Sequence, residues 1–162
     1  MKSANVSQLK NELKSRKPDE LLELCLRLAK FKKENKELLT YLLFEADNED
    51  AFVENIKREI SHEFTLINTN SYFYIKKSIR RILRNIKKYI RYSKKRETEV
   101  ELLMHFCSEI INMEPSFMDN TVLQNIYTRQ LEAISKAISY LHEDLQYDYQ
   151  TELDEIKSIN PA

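Results

Sequence analysis

The chain has 162 residues, 32% charged and 42% hydrophobic, enough for one soluble domain with a real core. It contains no glycine, where average usage of about 7% would supply roughly eleven; phosphate-cradling loops, dinucleotide-binding turns and β-rich folds all lean on glycine and are disfavoured. A formal net charge of zero hides a split: residues 1–96 hold 23 Lys and Arg against 13 Asp and Glu, whereas residues 97–162 hold 3 against 13.

Residues 7–15 form a short amphipathic helix with Val6, Leu9 and Leu13 on one side. Pro18 suits the first turn of the next helix, where its missing N–H costs nothing. Asp19 and Glu20 complement that helix's positive end, and Lys32 and Lys33 its negative end. Between them, Leu21, Leu22, Leu24, Cys25, Leu26, Leu28, Ala29 and Phe31 are apolar on more than one face, which predicts a central helix. Asn35 is a candidate cap for the third helix, and the run from Leu38 to Phe44 predicts a second buried element. Residues 46–50, ADNED, read as a turn. A helix over 50–65 follows, with Phe52, Val53, Ile56, Ile60 and Phe64 inward.

The stretch from Ser71 to Arg96 carries eleven Lys and Arg and no acid. On a helix its isoleucines Ile75, Ile79, Ile82, Ile86 and Ile90, with Leu83, fall in one stripe. Lys77, Arg80, Arg81, Arg84, Lys87, Lys88, Arg91, Lys94 and Lys95 lie to one side of it, and Tyr74, Tyr89 and Tyr92 to the other. Like charges three and four residues apart repel by a few tenths of a kcal/mol per pair. Three things could offset this: acids elsewhere in the fold, counterions, or an anionic partner. The acid-rich C-terminal half makes the first a direct expectation, with acids of the last helix covering the basic strip.

Residues 96–113 repeat Val100, Leu103, Met104, Cys107, Ile110 and Ile111 at helical spacing. Pro115 breaks the chain within a loop over 112–120. A final helix is predicted from about 120 to 158, its seam made by Tyr127, Leu131, Ile134, Ile138, Leu141 and Leu145. With glycine absent, left-handed helix caps should fall to asparagines such as Asn35, Asn48, Asn68 or Asn112.

Chemistry-bearing motifs are sparse. Glu59 and His62 share one helix face, as do Glu101, His105 and Glu109, but neither motif repeats as a di-iron bundle requires. Cys107 points away from His105 on a helix, which opposes direct activation of the thiol. Cys25 and Cys107 read as small buried hydrophobes in a reducing, cytoplasmic setting. The first fifteen residues lack the apolar run of a signal peptide, and no run approaches a membrane span.

These features predict an all-α single domain over 1–162, with 1–16 and 150–162 peripheral. Its six or seven helices form an antiparallel bundle or a short solenoid-like array. The expected function is a non-enzymatic interaction module that needs no cofactor and no metal. Lys77, Arg80, Arg81, Arg84, Lys87, Lys88, Arg91, Lys94 and Lys95 are its anion contacts, and Tyr74 and Tyr92 its stacking groups. The partner is an acidic protein surface or another copy of the chain; the competing reading is nucleic acid bound through the same face.

Overall fold

The computed structural model describes residues 1–159. Those residues form eight α-helices, one π-helical turn, one 3-10 turn and no strand. The all-α expectation holds, with a helix count slightly above six or seven. The chain divides into two compact units, residues 1–44 and the remainder from Glu45.

The first unit holds α1 (Val6–Lys14), α2 (Pro18–Phe31) and α3 (Lys33–Thr40), with a π-helical turn (Tyr41–Glu45) running across its end. Helix α1 opens with a reciprocal cap: Asn5 Oδ1 accepts from the Gln8 N–H at 2.9 Å, and Gln8 Oε1 accepts from the Asn5 N–H at 3.0 Å. Pro18 begins α2, and the Lys17 N–H donates to Glu20 at 2.8 Å. Helices α2 and α3 pack together as a hairpin. Asn35 does not cap α3; its Nδ2 donates to the Leu28 carbonyl at 2.9 Å and ties the hairpin across its turn. The expected burial of α2 does not occur. Leu22, Leu24, Leu26, Leu28 and Phe31 are all exposed, as is Cys25, and Tyr41 is the one buried residue in the unit.

The second unit holds α4 (Glu49–Thr65), α5 (Tyr72–Ser93), α6 (Arg96–Ile111), a 3-10 turn (Phe117–Asp119), α7 (Thr121–Ile138) and α8 (Glu143–Ile159). Its middle is α6, which packs on α4, α5, α7 and α8. Leu102 and Phe106 are fully buried alongside the expected Val100, Leu103, Met104, Cys107 and Ile110, so the buried face of α6 takes in more than half of its circumference. Polar ties fix its direction. Thr98 donates to Glu49 at 2.6 Å, Lys57 to Glu101 at 2.7 Å, and the Ser61 hydroxyl meets His105 Nε2 at 2.8 Å. These run in the same order on both elements, so α4 and α6 are parallel. Glu49 also meets Ser93 and Glu63 meets Arg81, so α4 and α5 are antiparallel.

The single long C-terminal helix expected from 120 to 158 is two helices. Residues 139–142 turn, with Ser139 donating to the Lys136 carbonyl at 2.7 Å and Gln146 to the Leu141 carbonyl at 2.7 Å. Such side-chain bonds offer the backbone an alternative to continuing the helix. The reversal lays α8 on α6 and α7, where Leu153 is fully buried.

Candidate anion-binding face

Helix α5 is long because its inward positions are isoleucines at spacings of four, three and four. Ile75, Ile79, Ile82 and Ile86 are each at most 1% exposed. No asparagine supplies its C-terminal cap. Lys94 does, with φ of 59°, and its N–H donates to the Ile90 carbonyl at 2.9 Å. A lysine in the left-handed region costs about 1 kcal/mol that glycine would not. The neighbouring contacts hold it there: Lys95 pairs with Glu49 at 3.2 Å, and the Lys95 N–H donates to the Ser93 hydroxyl at 3.2 Å.

Lys77, Arg80, Arg81, Arg84, Lys87, Lys88 and Arg91 fall within about 120° of arc, nearly opposite the buried isoleucines. All are exposed except Lys88, which is half-buried with its ammonium 5.0 Å from the centre of the Tyr89 ring. The row spans about 21 Å at 1.5 Å per residue. Among the described residues, the side chains of Lys77, Arg80, Arg84, Lys87 and Arg91 have no hydrogen-bonding or ion-pairing partner. Arg81 pairs with Glu63 at 3.4 Å.

The intramolecular balance expected from α8 takes another form. Helix α8 lies on α6 and α7, and Tyr149 on it donates to Glu101 of α6 at 3.0 Å. The carboxylates that reach Arg81 and Lys95 belong to α4. They sit at one edge of the cationic row and leave the rest facing outward.

Beside the N-terminal half of the row is a pocket of about 400 Å³ lined by Asn68, Tyr74, Lys77, Ser78, Arg81 and Arg84. Three cations, two neutral polar groups and an exposed tyrosine converge there. Tyr74 packs edge-on against Phe73, itself exposed, with ring centres 5.4 Å apart. Tyr92 is buried and meets Tyr89 edge-on at 6.2 Å, so Tyr74 is the predicted stacking group on the open side. Asn68 and Ser78 were not among the predicted contacts. Ser78 shares the flank of α5 that carries Tyr74; Asn68 comes from the preceding loop, and helical periodicity gives no signal for it.

His105, Glu109 and Cys107 sit in packed parts of the second unit. Ser61 donates to Glu109 at 2.6 Å, and Glu109 lies 3.5 Å from the same His105 nitrogen that meets Ser61. A catalytic triad needs the acid on the opposite ring nitrogen, so this trio links α4 to α6 without activating the serine. Burial pushes the Cys107 thiol up to about 12, far from a nucleophile's range. Among the described residues, no three His, Cys, Asp or Glu side chains gather as a metal site. No helix among them is long and apolar enough to cross a membrane.

No family model, curated protein or solved structure matches the chain.

Proposed function

We propose that the chain is a non-enzymatic interaction module that docks an acidic protein segment along α5. One observation carries this reading: a row of outward cations stands opposite a locked isoleucine stripe, and five of them have no partner among the described residues. Helix α5 would be more stable alone with acids interspersed among its cations. Uncompensated like charge on a rigid surface raises the local concentration of anions and speeds their association, which supports an anionic ligand. The pocket at Lys77, Arg81 and Arg84 adds a place where one carboxylate or phosphate can be held by several donors.

The exposed Phe73–Tyr74 pair beside those cations favours a second reading, single-stranded nucleic acid with a base on Tyr74 and its phosphates along α5. Titration with a polyglutamate peptide and with a single-stranded oligonucleotide, each at several salt concentrations, separates the two. The first reading expects polyglutamate to bind and R80E/R84E/K87E to abolish that binding. The second expects tighter oligonucleotide binding, with the logarithm of affinity falling linearly with the logarithm of salt, and further loss in Tyr74→Ala. Equal binding by the triple variant would remove α5 from both.

A further inference from the structure

Every residue lining the pocket beside α5 can donate a hydrogen bond, and none is an acid. Tyr74, Lys77, Ser78, Arg81 and Arg84 share a sector of about 120° on the helix. Asn68 joins them from the preceding loop. Its Oδ1 accepts from the Asn70 N–H at 3.0 Å, which leaves the Nδ2 amide, a donor, for the pocket. Arg81 is anchored by Glu63, whose buried Oε2 accepts no hydrogen bond among the described residues and lies 3.4 Å from Arg81 Nη2. That contact uses one corner of a guanidinium with five N–H donors. Lys77 and Arg84 have no partner among the described residues.

Charge and oxygen count select the ligand. A carboxylate brings one negative charge and two oxygens. A nucleic-acid phosphodiester also brings one charge and two free oxygens. A phosphomonoester carries about −1.5 to −2 near neutral pH, spread over three terminal oxygens. The three pocket cations, less the Glu63 carboxylate that shares Arg81, offer a charge of two, with several uncharged donors beside them.

We propose that this pocket holds a phosphomonoester dianion, carried as a phosphorylated side chain of the acidic segment docked along α5. The inference rests on that docking and adds the group that sets the segment's register. Arg84 belongs both to the pocket and to the row that continues through Lys87 to Arg91. No cation of α5 precedes Lys76, so the row extends from the pocket in one direction only. Arg91 stands about 15 Å beyond Arg81 at 1.5 Å per residue. An extended peptide covers that distance in about four or five residues. The ligand's acids therefore lie within that span, on one side of its phosphorylated residue.

The test is fluorescence anisotropy on the full chain with acidic peptides that share four glutamates and differ at one position: phosphoserine, glutamate or serine. Each is made with its glutamates before and after that position. In the better-bound order, phosphoserine should bind at least about tenfold tighter than glutamate. Asn68→Ala and Lys77→Ala, both at exposed positions, should erase most of that preference. Lys87→Ala should weaken all three peptides alike. Equal binding of phosphoserine and glutamate would overturn the pocket's assignment and leave the docking along α5 standing. Failure of every peptide to bind would overturn both. A preference that survives both pocket variants would also sink the proposal. So would a single-stranded oligonucleotide that displaces the phosphopeptide and binds tighter than it, because the pocket would then serve a diester.

Discussion

Lys57 donates to Glu101 at 2.7 Å, and the other oxygen of the same carboxylate accepts from Tyr149 at 3.0 Å. One side chain of α6 thereby holds α4 on one side and α8 on the other. Glu101→Gln should destabilise the protein by about 1 kcal/mol, since the site is partly open to water. Chemical denaturation measures this, and a change within error would show that the node is dispensable.

The same node predicts how stability depends on pH. Partial burial pulls the Lys57 ammonium down, but hydrogen bonds to Glu101 and Glu54 hold it above its ordinary 10.5. Burial, then Glu101, raises the Tyr149 phenol above 10.0. Both groups are held in their protonated forms by the fold. Their contribution is complete below those ordinary values and is lost as pH climbs through the raised ones. Denaturation midpoints should therefore drop on the alkaline side of about 10. Lys57→Met and Tyr149→Phe should each flatten that drop; an unchanged slope in both would disprove the assignment.

The two cysteines should differ sharply. Cys25 is exposed, whereas Cys107 is fully buried with its thiol pushed up to about 12. A thiol reagent under reducing-agent-free native conditions should titrate Cys25 at once and reach Cys107 only after denaturant is added. Prompt modification of both would mean that α6 opens readily.

The two sides of α5 should respond oppositely to mutation. Ile79 is fully buried, and Ile79→Ala should cost about 2–5 kcal/mol. Arg84 is exposed, without a partner among the described residues, and within three or four residues of Arg80, Lys87 and Lys88. Arg84→Glu should be neutral or stabilising by a few tenths of a kcal/mol. Thermal melts of both variants check this; substantial loss of stability in Arg84→Glu would mean that the cation supports the fold.

Periodicity made most of the second unit legible, because a helix with one inward stripe announces that stripe. Ile75, Ile79, Ile82 and Ile86 of α5 and the α4 positions Phe52, Val53, Ile56 and Ile60 are buried as read, while Ile90 and Phe64 are half-buried. Periodicity is weaker where apolar residues cover more than half of a helix. Such a helix can be enclosed, as α6 is, or left open, as α2 is, and local pattern does not distinguish the two. Leu102 and Phe106 beside the regular stripe were the available hint that α6 is the enclosed one. The break at 139–142 carries neither proline nor glycine, and a lone serine at its start is too weak a signal to end the seam of Tyr127, Leu131, Ile134 and Ile138 on sequence grounds. At the candidate site the cations were readable one by one, but the pocket was not, because Asn68 reaches it from a loop.

Isoleucines clamped on one side of α5 leave its other side no freedom to bend. The charges it displays are graduated at fixed intervals, like teeth on a rack, and a flexible ligand must adopt that pitch. On the proposed reading, recognition there selects for spacing along the visitor's chain, and the backbone-ordering entropy falls on the visitor.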